Sequence, residues 1–150
     1  MNRVNEDGSI GKQVEVRPPD EVPNENYLTT FSWIDDQSAI VQWANRVQNE
    51  SFYAFCTNLG TDQSSCALNL NFRPSGKGWV DILNEAFVDR NRSVYYIRMS
   101  SFQSEQFGSF RHLAQVKLNP LSSNDQVKHL TSGLFEVVDI LSLDVLRNEM

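Results

Sequence analysis

The residue types best suited to chemistry are cysteine and histidine, and their spacing predicts no reactive site. Cys56 and Cys66 form no CxxC pair and have no neighbouring histidine, so neither a zinc site nor a redox motif is expected. Two small buried thiols are the favoured interpretation, and a hairpin disulfide between them is the alternative. Gly76, Lys77 and Gly78 lack the earlier glycine and the following hydroxyl that a phosphate-binding loop requires.

The two histidines also lack a catalytic context. His112 falls on the apolar face of a predicted strand, and His129 falls on the polar side of a predicted helix. No serine or cysteine occupies a nucleophile-elbow sequence. A small hydrolase or transferase that combines His112 with Cys56 or Cys66 is therefore the weakest interpretation. We expect no catalytic residues, no metal and no cofactor.

A basic cluster that includes two tyrosines is the most distinctive polar feature. Residues 73–117 contain seven lysines and arginines and four acidic residues, whereas the whole chain has a formal net charge of -6. Cations and aromatic rings on neighbouring strands combine phosphate contacts with base stacking, so a single-stranded nucleic-acid-binding protein is the alternative function. The acidic chain works against it, and a solvated sheet face is the simpler explanation. The cluster consists of Arg90, Arg92, Tyr95, Tyr96, Arg98, Arg111 and Lys117.

These side chains need a scaffold, and 150 residues suffice for one ordinary domain. Residues 1–26 are rich in Pro, Gly and Asn, which predicts a flexible acidic arm with one added edge strand at 13–17. The density of large apolar residues rises at Tyr27, so residues 27–150 are predicted to form a single α+β domain.

The surroundings of the chain are predicted from what its sequence lacks. No apolar run matches a membrane span or the core of a signal peptide, so a protein without membrane contact is expected, cytoplasmic or delivered by another route. The triplets that begin at Asn49 and Asn91 match the glycosylation sequon. They are discounted because a chain this rich in Asn and Ser produces such triplets by chance, and because no signal peptide is recognised.

Apolar periodicity predicts three helices. Ile40, Trp43 and Val47 follow helical spacing. Asp35 or Asp36, just before them, has the side chain of a helix cap. A second apolar stripe begins at Trp79, and a third follows a capping-box sequence. The predicted helices span 36–48, 79–90 and 124–146.

Alternation of apolar and polar residues predicts strands between these helices. The elements then follow the order arm-α-ββ-α-ββ-α. This order corresponds to an α+β fold, with an antiparallel sheet of about four strands packed against helices. The predicted strands, paired as two hairpins, span 52–57, 65–72, 94–99 and 110–118.

The predicted closing helix carries more apolar residues than one buried stripe requires. Phe135, Leu143 and Leu146 project onto the flank and back of the stripe and are the predicted partner-binding residues. This surplus predicts a non-enzymatic protein–protein interaction module, an adaptor, chaperone-like or inhibitor protein that self-associates through the helix. The element order and acidic charge are loosely similar to those of secretion chaperones, which are small acidic homodimers. The expected partner is a second copy or another protein.

Overall fold

The computed structural model describes residues 2–4, 8, 10–13, 15–74, 78–82, 85–118 and 126–144. Within these ranges the protein is all-β, with antiparallel sheets and no helix, so the predicted α+β class is wrong. The described residues accordingly include no helix long and apolar enough to cross a bilayer. The strands are β1 (Asn2–Val4), β2 (Ile10–Gln13), β3 (Asn26–Asp35), β4 (Ser38–Asn45), β5 (Ser51–Thr57), β6 (Ser65–Phe72), β7 (Phe87–Asp89), β8 (Val94–Ser104), β9 (Gly108–Lys117) and β10 (Val127–His129).

The first large sheet is a meander with the order β3-β4-β5-β6. Its central strands are buried almost continuously: their only partly exposed residues are Asn45 of β4 and Phe55 and Thr57 of β5. Successive side chains of a strand point to opposite faces, so a strand covered on both sides favours an unbroken apolar run. Trp43 of β4 lies opposite Phe52 of β5, which places two large rings side by side on one face.

The second large sheet follows in sequence and has the order β10-β9-β8-β7. Its long central hairpin joins β8 to β9. Along β8 the buried Ile97 and Met99 alternate with the less buried Arg98 and Ser100. This part of the strand therefore has an apolar face and a polar face.

A shared apolar core joins the two large sheets, and a second cluster lies on the other face of the first sheet. Ile40 belongs to the shared core and the adjacent Val41 to the second cluster, which also receives Val22 from the segment before β3. The first sheet is thus enclosed on both sides. The shared core contains Ile40, Tyr53, Leu70, Ala86, Tyr95, Ile97, Met99, Ala114 and Val116.

The predicted helix over 36–48 is wrong, because most of this range is β4. The helical spacing of Ile40 and Trp43 is coincidental, since Val41, which that spacing skips, is buried as well. Val47, the last residue of the supposed stripe, is 67% exposed. A short, continuously apolar run fits a buried strand as well as a helix.

Asp35 is the last residue of β3 and stabilises the turn that follows, rather than capping a helix. Its carboxylate accepts the Gln37 N–H at 2.8 Å between β3 and β4. Hydrogen bonds from Ser38 and from the Gln37 N–H, with the nearby Arg90 charge, lower the pKa of the Asp35 carboxyl. Aspartate before a tight turn carries the same sequence signal as aspartate before a helix.

The predicted helix over 79–90 is also wrong. Residues 83–84 lie outside the described part of the chain, and the described remainder is irregular up to β7. Its backbone donors bond to other elements: the Val80 N–H donates to a carbonyl of the turn before β5, and the Ala86 N–H donates to Ser32 Oγ at 2.8 Å. Tertiary hydrogen bonds replace the bonds of a helix.

The predicted closing helix over 124–146 is wrong for the same reason. Residues 124–125 and 145–146 lie outside the described ranges, and the described part contains β10 followed by an irregular segment. The N–H groups of Leu130 and Val137 donate to carbonyls of β9 at 2.7 and 2.8 Å. The segment therefore follows the edge of the second sheet, and its donors are not available for a helix.

The four predicted strands are confirmed as the β5–β6 and β8–β9 hairpins. β8 continues beyond the predicted end to Ser104. The added edge strand predicted at 13–17 is wrong for residues 15–17, which form no strand, whereas Gln13 ends β2 and residue 14 is outside the described ranges.

Cys56 and Cys66 form a disulfide across the β5–β6 hairpin. The two residues are direct partners in the strand register, with Cα atoms 4.0 Å apart. The favoured interpretation of two free thiols is therefore wrong, and the alternative hairpin disulfide is confirmed. Strand register, which sequence spacing does not determine, decides between the two.

Candidate functional site

The main polar site is an arginine cluster formed by Arg98, Arg111, Asp81 and Glu136. Asp81 Oδ2 lies 3.2 Å from Arg98 Nη2 and 3.3 Å from Arg111 Nη1. Glu136 Oε2 lies 2.9 Å from Arg111 Nη2. Two cations therefore alternate with two carboxylates, and their formal charges cancel.

Strand register brings the two arginines together. Arg111 pairs with Ser100, which lies two residues after Arg98, so both arginine side chains project from the same face of the β8–β9 hairpin. Asp81 reaches them from the irregular segment before β7. Gln42 of β4 holds that segment, because its Nε2 donates to the Asp81 carbonyl at 2.8 Å.

The segment after β10 brings Glu136 to the cluster. The Val137 N–H donates to the Arg111 carbonyl, and the Arg98 guanidinium donates to the Val138 carbonyl. The hydrogen bond with Glu136 raises the pKa of Arg111, and the same bond lowers the pKa of the Glu136 carboxyl. The pair is thereby held in its charged form, and it ties the C-terminal segment to the sheet.

A cavity of about 610 Å³ borders the arginine cluster. Ser51 lines it, and its Oγ is buried without a hydrogen-bond partner among the described residues. Trp79, which is 81% exposed, and Phe102 supply aromatic surface. The arginine charges at this cavity are already matched by carboxylates, so the geometry does not favour an anion site.

His112 is fully buried in the second sheet, and both of its ring nitrogens have partners. Nε2 lies 3.1 Å from the Gly133 carbonyl, which only accepts, so Nε2 donates. Nδ1 lies 3.2 Å from Thr131 Oγ1, and the Phe135 ring packs edge-on at 5.2 Å. His112 thus orders the C-terminal segment. Because Cys56 and Cys66 are joined in a disulfide, neither supplies the free thiol that the hydrolase or transferase interpretation requires as a nucleophile.

The tyrosines of the predicted nucleic-acid surface lie in the interior. Tyr95 is fully buried, its hydroxyl donates to Asn69 Oδ1 at 2.8 Å, and burial raises its pKa well above the usual value. Tyr96 is also buried, and its hydroxyl accepts a hydrogen bond from Gln115 Nε2. Neither ring has a free face on which a base can stack.

The predicted basic residues divide among separate locations. Arg98 and Arg111 belong to the arginine cluster. Arg90 pairs with Asp35 at 2.5 Å, and Arg92 pairs with Asp89 at 3.6 Å, both near the turn between β7 and β8. Lys117 is exposed at the end of β9. The structure therefore does not assemble these residues into one cationic surface.

The predicted partner-binding residues do not form a helix face. Phe135 is half exposed and contacts His112, Leu143 is half-buried, and Leu146 lies outside the described residues. Other apolar side chains of the segment are more exposed than these. They are Leu130, Leu134, Val138 and Leu141.

Sequence reasoning missed the acidic half of the arginine cluster. Asp81 and Glu136 fall inside the wrongly predicted helices over 79–90 and 124–146. Both residues reach the arginines through irregular segments, and local periodicity contains no signal for such contacts. The Gln42 amide, which is buried in an apolar strand, is the one indication that a distant polar partner is needed.

Two consecutive four-stranded antiparallel meanders that share one core define a protein of repeated β-sheets. The described residues contain no group of three or more His, Cys, Asp and Glu side chains arranged to hold a metal ion. Residues 4–150 match the family model of the dipeptidyl peptidase IV (DPP IV) N-terminal region, and the chain belongs to this family. That region is of the β-propeller type.

Similar proteins include inactive dipeptidyl peptidase 10 of Rattus norvegicus and of Mus musculus. Each is 30% identical over 133 residues, which cover 87% of this chain and 16% of the relative. Venom dipeptidyl peptidase 4 of Apis mellifera is 28% identical over 134 residues, covering 89% of this chain and 16% of the relative. The chain thus spans about one sixth of the length of these relatives.

Family membership corrects the functional predictions. The adaptor or chaperone-like module and the nucleic-acid-binding alternative are both wrong, because the chain is a domain of the dipeptidyl peptidase family. The match lies in a region that is not the catalytic domain.

Proposed function

We propose that the chain supplies two neighbouring blades of a non-catalytic β-propeller in a dipeptidyl-peptidase-type protein. The observation that carries this proposal is the pair of consecutive four-stranded meanders packed on one shared core. Four-stranded antiparallel blades arranged side by side are the building units of a propeller. Any hydrolysis of peptides is assigned to another part of such a protein.

In this function the arginine cluster acts as a structural clamp. Asp81 reaches both arginines of the second sheet while its backbone carbonyl accepts from Gln42 of the first sheet. A single short segment thus contacts both blades. The side chain of Arg98 is only 13% exposed, so its pairing with Asp81 avoids an uncompensated charge close to the core.

The segment after β10 provides the contact with a further blade. An inner blade packs against two neighbours, so apolar side chains on its free side need cover. Leu134, Val138 and Leu141 are 58%, 73% and 89% exposed, and we call them the apolar strip. We assign a further four-stranded sheet as the occupant, because the chain spans only 16% of the relatives that share its family.

The proposal is tested on the purified chain with two measurements. A dye that fluoresces on apolar surface should bind the wild-type chain and bind the Val138→Ser/Leu141→Ser variant less, because the strip is the dye's contact. Release of arylamine from a dipeptidyl arylamide should not exceed the buffer blank. The β-sheet circular dichroism spectrum confirms that both proteins are folded.

Val47→Ser is the matched control, since Val47 is 67% exposed but isolated in a turn of the first sheet. It should leave dye binding unchanged. Equal dye binding by the wild-type chain and the strip variant would contradict the assignment of a blade contact. Arylamine release that disappears when the chain is unfolded would contradict the non-catalytic role.

A further inference from the structure

We propose that Asn91 carries an N-linked oligosaccharide. Asn91, Arg92 and Ser93 form the acceptor sequence Asn-X-Ser, with an X other than proline. The triplet lies in the turn between β7 and β8, and all three residues are exposed. A bulky, hydrated glycan is accommodated only at the surface, so this turn meets the steric requirement.

The disulfide supplies the second, independent observation. Cys56 and Cys66 are bonded across β5 and β6, and Cys56 is fully buried. Structural disulfides form and persist in oxidising compartments such as the lumen of the secretory pathway. Proteins that follow this pathway are also the ones that receive N-linked glycans on asparagine. The cross-linked hairpin thus answers the objection that no signal peptide is recognised, and the exposed turn argues against a chance triplet.

The turn presents the Asn91 amide without depending on it. The Asp89 carboxylate accepts the Asn91 N–H at 3.0 Å and the Arg92 N–H at 3.3 Å, and the Ser93 N–H donates to the Arg90 carbonyl. Backbone groups and Asp89 therefore fix the loop. Within the described part of the chain, no hydrogen bond engages the side-chain amide of Asn91. Attaching a sugar to this amide therefore breaks no contact.

The other sequon of the chain has different surroundings. Asn49 is half-buried, and its Oδ1 accepts a hydrogen bond from Asn45 Nδ2 at 2.8 Å. Ser51, the third residue of that sequon, is buried in β5. The geometric argument for a fully exposed acceptor therefore applies to Asn91 alone, and Asn49 is a separate site in the test.

The transfer is a substitution at the anomeric carbon of a lipid-linked oligosaccharide diphosphate. A bond forms between Asn91 Nδ2 and sugar C1, and the bond between C1 and the diphosphate oxygen breaks. The lipid diphosphate leaves with the bonding electrons, and the amide proton passes to a base of the transferase. The acceptor side chain is uncharged before and after the reaction.

The test begins with the protein isolated from its natural source. Treatment with an N-glycosidase in ¹⁸O-labelled water converts a glycosylated asparagine to aspartate that carries ¹⁸O. Mass spectrometry should find this labelled aspartate at position 91. Recovery of the peptide with an unmodified Asn91, before and after treatment, would overturn the proposal.

Variants of the full chain, expressed in cells that glycosylate and with Asn49→Gln in every case, test the acceptor rule. Ser93→Thr should keep the glycosidase-sensitive mass shift, whereas Ser93→Ala and Asn91→Gln should remove it. Circular dichroism checks that each variant is folded. A glycosidase-sensitive shift that persists in Asn91→Gln would show that another residue carries the sugar and would overturn the assignment.

Discussion

The two large sheets have the same strand count and the same meander order but are stabilised differently. The first sheet is enclosed by apolar clusters on both faces, and a disulfide closes its outer hairpin. The second sheet contributes one apolar face to the shared core and carries the arginine cluster on its polar face. Its last strand, β10, has only three residues. The same strand order is thus stabilised by apolar burial in the first sheet and by polar contacts in the second.

The difference follows from what each sheet has beside it. The first sheet has the second sheet on one side and the segment that contains Val22 on the other. The second sheet has an irregular segment along β9. Such a segment contacts the sheet through side chains, because it forms no continuous ladder of backbone hydrogen bonds. Thr131 and Glu136 accordingly bond to His112 and Arg111 at positions where a longer β10 would pair with β9. Removing an apolar residue from the first sheet should therefore cost more than removing an ionic contact from the second.

The largest expected effect is the loss of Trp43. Its side chain is 2% exposed in the second cluster, so Trp43→Ala leaves a large cavity in that cluster. We expect the free energy of unfolding to fall by about 3–5 kcal/mol. Urea unfolding followed by circular dichroism measures this change. A loss no greater than that of a surface substitution would show that the first sheet is not stabilised by two-sided burial.

Trp79→Ala is the matched control for Trp43→Ala. Trp79 is 81% exposed beside the arginine cluster, so its removal creates no buried cavity. The free energy of unfolding should change by less than about 0.5 kcal/mol. Similar losses for the two tryptophan variants would contradict the burial assigned to them.

The second expected effect is the loss of the Cys56–Cys66 bond. The cross-link closes a short loop and acts mainly by restricting the unfolded chain, so the Cys56→Ala/Cys66→Ala variant should be less stable by about 2–3 kcal/mol. The urea midpoint of the wild-type chain should fall to that of the variant when a reductant is added. The variant itself should not respond to reductant, and an unresponsive wild-type chain would contradict the disulfide.

The same contrast explains which strands were predictable from the sequence. β6 and β9 have one face that is more enclosed than the other, so apolar and polar residues alternate and the sequence pattern is informative. β4 is covered on both sides, which removes the alternation and allows a helical interpretation of Ile40 and Trp43. Hydrogen bonds to β9 hold the C-terminal segment in place, and the local spacing of apolar residues contains no signal for such long-range contacts.

The arginine cluster was predictable only in part, for a related reason. Arg98 and Arg111 lie on strands that the sequence predicts, so their proximity follows from the hairpin. Asp81 and Glu136 lie on irregular segments, where position depends on tertiary hydrogen bonds such as that from Gln42 to the Asp81 carbonyl. A sequence pattern identifies a face of a strand but not the segment that crosses it.

The smallest expected effect is the pH dependence of the Arg111–Glu136 pair. The Arg111 hydrogen bond lowers the pKa of Glu136 below its ordinary value of 4.5. A carboxylate whose pKa is lower in the folded state stabilises that state fully above the ordinary pKa, and the contribution is lost as the pH falls below that value and through the lowered pKa of the folded state. Because the Glu136 side chain is 40% exposed, solvent screening limits the contribution to less than about 1 kcal/mol. Glu136→Gln should therefore be slightly less stable than the wild-type chain at pH 7.

The difference between the wild-type chain and Glu136→Gln, measured by urea unfolding across a pH series, should vanish in acid. Taking the difference removes the titration of carboxylates that both proteins share. Glu15→Gln is the control, because Glu15 and Arg17 form an ion pair whose side chains are 72% and 80% exposed, and screening leaves little to lose. A pH-independent difference for Glu136→Gln would mean that its side chain acts through packing rather than charge, and the second sheet would then resemble the first.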